Sequence, residues 1–371
     1  MRQTPANDGF REALLEGLAH RPRNVPCRYL YDAAGSALFD RITELEEYYL
    51  TRAETALLAA HCPEVAAIVG AGVRVVELGA GSMIKTRLLL SVLPAPAAYI
   101  PVDVSREALL LAARRLAAQY PDLTVTPLIA DFTQPLALPP GGDRPALVFF
   151  PGSTIGNLRP AEARDVLRRI ARAIGSGWML VGVDAVKDPA VLGAAYDDPH
   201  GVTAAFVRNL LVRANRELEA DFDVDAFDHS AWWNARESRV EIHLVAGRRQ
   251  QVSVAGHRFA FRRGDTIHVE DCYKYAVPQM HWLARQGGFE PVRTWSDGRF
   301  TLHLLRTGAV GLRDLRLLPL TALPPDLFWL GGGYRDAAND LAQHERRRDL
   351  RHPEVRSGAW VGRRRGGASA A

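Results

Sequence analysis

Gly79 and Gly81 follow the apolar run "VRVVEL" and precede Lys85, in the stretch from Val73 to Leu90 where a strand should give way to a helix. Glycines at such a turn let the backbone adopt positive φ and approach a ligand closely, and the helix N-terminus favours a carboxylate or phosphate. The Gly-x-x-x-x-Gly-Lys-Ser/Thr pattern of a phosphate loop is absent, and so is the third glycine of the dinucleotide fingerprint. About 20 residues on, the run "YIPVDVS" ends in Asp103, an acid placed to accept hydrogen bonds from both hydroxyls of a ribose. The third run, "LTVTPLIADF", ends in Asp131 and Phe132, one able to receive an adenine amino group and the other to pack on a flat base. Each acid alone would serve equally well as a helix cap. Together, at the ends of three successive strands, these features point to one adenosine-containing ligand lying across a sheet edge.

The elements that must hold these residues run from 73 to about 185, where "VRVVELG", "AAYIPVDVS", "LTVTPLIADF", "ALVFFPGSTIGN" and "GWMLVGVDAV" alternate with helical patterns. Near-continuous apolar strands separated by helices require a parallel sheet covered on both faces, so the expected fold is a doubly wound, Rossmann-like α/β sheet. After Asp188 the rhythm changes to a long helical stretch, "PHGVTAAFVRNLLVRANRELEADFD", and then to the period-2 runs "RVEIHLVA" and "HRFAFRRGDTIHVE". This section is expected to form a second, α+β domain inserted in the first. A helix at "PQMHWLARQGGF" and strands at "EPVRTWS" and "RFTLHLLRT" follow, and so short a turn as Asp297-Gly298 makes those last strands antiparallel. Period-2 alternation through "TIHVEDCY" predicts Thr266, His268, Glu270 and Cys272 on one face.

A chain of 371 residues with 47% apolar content can bury real cores. The net charge of +4 belongs to one segment: without the eight arginines and three acids of residues 344–371, 38 basic and 39 acidic residues remain. A basic groove for nucleic acid is therefore not expected. Cys27, Cys62 and Cys272 lie far apart and suggest neither a metal site nor a disulfide framework. With no leader pattern and no apolar run of membrane-spanning length, a cytoplasmic protein is expected, without membrane contact.

The motifs "RYLYDAAGSALFDRITELEEYYLTRAETALL", "FFPGSTIGN", "AAYDDPHGVTAAF" and "IHVEDCYKY" carry a sharper message. Over residues 10 to 306, in order, the chain resembles the L-histidine Nα-methyltransferases of ergothioneine biosynthesis, within the class I S-adenosylmethionine-dependent methyltransferases. The resemblance implies S-adenosyl-L-methionine as methyl donor, held by Gly79, Gly81, Asp103, Asp131 and Phe132, with Lys85 as partner for its carboxylate. It implies a donor-binding domain over 61–187 and 281–306, a substrate-binding domain over 10–60 and 188–280, and an Arg-rich extension over 307–371.

Methyl transfer to an amine is an in-line displacement, so a neutral nitrogen lone pair must face the sulfonium methyl and most of the work is positioning and desolvation. By resemblance, Asn157 orients the α-amine and the backbone near Gly152 lines the same pocket. Tyr48 and Tyr196 match tyrosines that contact the substrate's carboxylate and amine, with Tyr48 and Asn157 closest to the chemistry; Tyr31 matches a pocket wall. Glu270 matches the acid that receives the imidazole. Two positions depart from the pattern: Cys272 stands where the family has serine, a much stronger hydrogen-bond partner, and the stiff Ile242 stands where methionine is expected. The implied substrate is a free amino acid, L-histidine, carried to its trimethylated betaine. The departures leave room for another aromatic amino acid such as tryptophan, while an RNA or protein methyltransferase and a non-catalytic binding module are the other rivals. Oligomeric state is not legible.

Overall fold

The computed structural model describes residues 9–81 and 83–308; the expected extension over 307–371 lies, after its first two residues, outside the described residues. Helix α1 (Phe10–Ala19), strand β1 (Arg23–Asn24), α2 (Ala33–Glu44) and α3 (Tyr49–Val69) come first. Then β2 (Arg74–Leu78), α4 (Ile84–Leu90), β3 (Ala98–Asp103), α5 (Arg106–Gln119), β4 (Leu128–Ile129), β5 (Ala146–Phe150), α6 (Pro160–Ile174) and β6 (Gly177–Asp184) alternate. Helices α7 (Pro189–Tyr196) and α8 (Val202–Glu217) lead to β7 (Phe227–Asn234), β8 (Arg239–Ala246), β9 (Gln250–Val254), β10 (His257–Phe261) and β11 (Thr266–Tyr273). The described chain closes with α9 (Val277–Gln286), β12 (Phe289–Ser296) and β13 (Phe300–Thr307).

The large sheet has the order β12-β13-β6-β5-β2-β3-β4. Strands β2 to β6 run parallel, whereas β13 is antiparallel to β6 and to β12, as the short Asp297-Gly298 turn demands. All five residues of β5 are buried, the mark of a central strand covered on both faces. Strand order reverses between β2 and β5, so the loops after them diverge and leave a crevice at their carboxyl ends. This is the doubly wound architecture expected. Among the described residues, no helix is long and apolar enough to cross a membrane.

A second sheet has the order β1-β11-β8-β7, with β9 and β10 pairing apart from it. Helix α8 is tied to α2 through one carboxylate: Asp32 caps α2 by accepting from the Gly35 N–H at 2.7 Å, and also accepts from Asn209 at 2.7 Å and Arg216 at 2.6 Å. The run "HRFAFRRGDTIHVE" divides, because the Arg262–Asp265 turn separates β10 from β11 and the two strands join different sheets.

Two expectations need correction. The third parallel strand shrinks to Leu128–Ile129, preceded by a lone bridge between Tyr99 and Val125. Pro127 between them has no N–H to give a ladder. The alternation through Thr266–Cys272 also fails: a bulge between His268 and Glu270 sets His268 opposite His243 and Glu270 opposite Ile242. The extra residue, Val269, turns His268 to the face of Asp271, whose Oδ1 lies 2.8 Å from its Nε2. Glu270 and Cys272 stay together on the other face, with Ile242 and Val240 as partners.

Candidate active site

The expected donor residues gather at the carboxyl ends of β2, β3 and β4. Gly79 has φ +70, a conformation that favours glycine, and a Cβ built at Gly79 or Gly81 would meet nothing within 4 Å. Glycine there keeps space open and relieves no packing clash. The turn is braced from beneath by Glu77, buried, which accepts from Thr86 Oγ1 at 2.5 Å and Tyr99 Oη at 2.6 Å. Burial pushes the Glu77 carboxyl up to about 7 despite those donors.

Asp103 ends β3 and accepts from the Ser105 N–H at 2.8 Å. Burial raises its pKa, so further hydroxyl donors at this edge would relieve a poorly solvated anion. Phe132 packs edge-on to Phe150 with ring centroids 5.3 Å apart. Ile84, Val104 and Ile129 are exposed at the same rim, an apolar border suited to a flat base. Asp131 accepts from the Thr133 N–H at 2.8 Å and pairs with Arg28 at 3.1 Å. Open glycines, an under-solvated acid and an apolar rim fit an adenosine-bearing donor.

Lys85 has a partner that sequence reading missed. Its Nζ donates to Glu54 Oε2 at 2.5 Å, and Glu54, fully buried on α3, also accepts from the Gly152 N–H, 2.9 Å from each oxygen. This buried carboxylate links the glycine loop after β2 to the loop after β5. Any bond from Lys85 to a donor carboxylate would be shared with Glu54.

The remaining expected residues converge from both sheets. The short 3₁₀ turn Thr154–Asn157 presses on β11, and a Cβ at Gly156 would lie 2.6 Å from the Tyr273 carbonyl oxygen. Gly156→Ala is expected to lower unfolding free energy by about 1–3 kcal/mol, as overpacking does, and denaturant unfolding would measure it. The close approach lets Asn157 Nδ2 donate to Glu270 Oε1 at 2.9 Å. With its amide nitrogen engaged by a carboxylate, Asn157 keeps its oxygen available as an acceptor.

Glu270 is pushed up to about 7, first by burial and then by Asp271, against the pull of Lys274. Tyr48 precedes α3 and stands edge-on to Tyr196, ring centroids 6.2 Å apart. Tyr31 packs edge-on to Phe39 and Phe206, at 5.4 and 5.2 Å. Burial, with nearby Glu270 or Cys272, raises all three tyrosine pKa values well above the usual one, so the three hydroxyls stay protonated. Cys272, also buried, has its thiol held firmly protonated beside Tyr196 and Glu270.

Behind Tyr196 lies a buried ionic cluster that sequence reading also missed. Lys274 Nζ donates to Tyr196 Oη at 2.6 Å and pairs with Asp184 Oδ2 at 2.8 Å. Asp184 also receives Tyr49 Oη, 2.9 and 2.8 Å from its two oxygens, and Lys187 at 2.6 Å. Asp184 ends the apolar run "GWMLVGVD", the same signal that singled out Asp103.

Comparison with known proteins identifies the family of the chain. The family model described as a histidine-specific, S-adenosylmethionine-dependent methyltransferase matches residues 10–307. A histidine N-alpha-methyltransferase of Mycobacterium tuberculosis is 41% identical over 303 residues, 80% of this chain and 94% of that protein. Ergothioneine biosynthesis protein 1 of Neurospora crassa is 33% identical over 301 residues, 76% of this chain and 33% of that protein. The N-methyltransferase fsqC of Aspergillus fumigatus is 31% identical over 308 residues, 80% of this chain and 83% of that protein. With a family model spanning nearly all the described residues, the chain belongs to the histidine-specific methyltransferases that depend on S-adenosylmethionine.

Proposed function

We propose that the protein transfers methyl groups from S-adenosylmethionine to the α-amino nitrogen of free L-histidine, up to the trimethylated betaine. The observation that carries this reading is the 2.9 Å hydrogen bond from Asn157 to Glu270. It ties an amide that can orient an α-amine to a carboxylate that can take an imidazole N–H, and so couples the two ends of one histidine.

In this reading the turn after β2 holds the donor, with Asp103 on the ribose and Asp131 and Phe132 at the base. When bound, S-adenosylmethionine supplies an electrophilic methyl group with its own leaving group. The chain supplies position. Asn157 Oδ1 accepts an N–H of the amine and so turns its lone pair toward the crevice, while Tyr48 and Tyr196 offer protonated hydroxyls to the carboxylate. Uncharged donors suit this end, because a cation beside the amine would oppose the positive charge that builds on the nitrogen as it takes the methyl group. The first and second transfers each leave an ammonium, which must release its proton before its lone pair can take the next methyl group; the third leaves a quaternary nitrogen with no proton to lose. Residues 10–60 and 188–280 act as the substrate-binding domain in this account, and 61–187 with 281–306 as the donor-binding domain. The three free cysteines suit the cytoplasm.

Ile242 and Cys272 favour a second reading, an aromatic amino acid other than histidine, because both are buried on the face that bears Glu270. Mass spectrometry of the protein incubated with S-adenosylmethionine and each free amino acid separates the two. Histidine gaining up to three methyl groups is the expected result. An inert histidine beside a methylated tryptophan would transfer the assignment to the second reading.

A further inference from the structure

The hydroxyl of Tyr196 is not free to choose its role. Lys274 is 1% exposed and its ammonium, which has donors and no acceptor, points at Tyr196 Oη from 2.6 Å. The oxygen of Tyr196 is therefore occupied as an acceptor on that side. Its own proton must be directed elsewhere, toward the side where Tyr48 and Cys272 stand. Lys274 is fixed in turn by Asp184, which is fully buried and shared with Lys187 and Tyr49. The cluster sets two lysines, Lys187 and Lys274, on the one carboxylate of Asp184, so basic groups outnumber acidic ones in it. That excess is one hydroxyl away from the pocket.

We propose that Lys274 is a positioning residue that makes Tyr196 an obligate hydrogen-bond donor and lends it positive charge, so that the site selects substrates bearing an α-carboxylate. The proposal rests on the amino-acid methyltransferase reading and adds the reason a carboxylate is required. A buried ammonium placed directly against the substrate would also face the α-amine. Acting through a tyrosine, it polarises a donor for the anion and stays out of hydrogen-bond reach of the nucleophile. Lys274 lies two residues beyond Cys272, immediately after β11, so the strand that brings Glu270 to one end of the substrate leads directly to the charge at the other.

The test compares histidine with histamine, which keeps the imidazole and amine and lacks the carboxylate. Wild-type enzyme that methylates histidine establishes the underlying reading; failure there overturns that reading and leaves Lys274 without a substrate to select. Given turnover, Lys274→Met is expected to raise KM for histidine about 10- to 100-fold with little change in kcat, the scale of a lost charge-assisted hydrogen bond. The rate with histamine is expected to fall far less, by about 2- to 5-fold, since Lys274 also acts on the Glu270 carboxyl that both substrates would share, so the preference between the two narrows sharply. Lys274→Gln, which keeps a donor and loses the charge, should fall between. In the double variant with Tyr196→Phe, the loss should not exceed that of Tyr196→Phe alone. Equal losses with both substrates, weakened S-adenosylmethionine binding by calorimetry, or additive losses in the double variant would each overturn the proposal.

Discussion

Glu270→Gln is expected to make the free protein more stable at pH 8 and a poorer enzyme toward histidine. The Glu270 carboxyl is pushed from 4.5 up to about 7, chiefly by burial. Below 4.5 the group is protonated in folded and unfolded chains alike, and the variant and the wild type should melt together as far as this residue is concerned. As pH rises from 4.5 to 7 the unfolded chain ionises first, and the wild type loses about 3 kcal/mol, an order-of-magnitude figure from 1.36 kcal/mol per pKa unit. Glutamine cannot ionise and keeps an oxygen to accept from Asn157, so it escapes that loss. Thermal melts at pH 5 and pH 8 should therefore diverge by several degrees at the higher pH. Identical pH dependence in both proteins would show that Glu270 is not the buried ionisable group described. Histidine affinity should move the other way, by about 10- to 100-fold, because a charge-assisted bond to the imidazole is lost. A residue that weakens the fold yet strengthens binding has the signature of a functional site.

Asn157→Ala is expected to lower kcat for histidine by about 10²–10³, the usual scale for deleting one orienting polar group in a preorganised site. S-adenosylmethionine affinity should change by no more than about twofold, since Asn157 bonds to Glu270 and not to the glycine turn after β2. Single-turnover kinetics together with calorimetry of donor binding would check both halves. Undiminished turnover would remove Asn157 from the site. Asn157→Asp should be no rescue, because a second carboxylate within hydrogen-bond distance of Glu270 would hold one of the two protonated and displace the acceptor meant for the amine.

What the sequence made legible follows from how far each signal reaches along the chain. Gly79, Asp103 and the β12–β13 turn are local statements, a strand end or a two-residue turn, and each lies where the pattern placed it. The bulge at Val269 was hidden because period-2 reading carries no information about the partner strand. It needed β8 alongside to set His268 opposite His243 and Glu270 opposite Ile242. The shortened β4 was readable after the fact from Pro127. Lys85 with Glu54, and Lys274 with Asp184, lie beyond the reach of pattern altogether: 31 residues separate the first pair, and each partner alone looks like an ordinary charged residue on a helix or strand end. Their carboxylates are buried and fully engaged, a state that only tertiary packing creates. The family resemblance supplied Asn157 and Glu270, whereas the bond between them is a product of the fold.

Helix α3 touches each of the parts that have to be aligned. Tyr48 stands at its start, Tyr49 reaches Asp184, Glu54 holds both Lys85 and the Gly152 N–H, and near its far end Glu64 accepts from Trp295 at 2.8 Å and pairs with Arg293 at 3.0 Å. From Tyr48 to Glu54 is about 9 Å of helix at 1.5 Å per residue. An in-line transfer is unforgiving, since a misplacement of about 1 Å can cost 10²-fold in rate. Two reactants carried on separate elements would each add their own drift to that gap. In the proposed site, one stiff rod would grip the acceptor pocket and the donor turn together, so that displacement is common to both sides and the gap itself is conserved, much as a gauge bar keeps two rails parallel over moving ground.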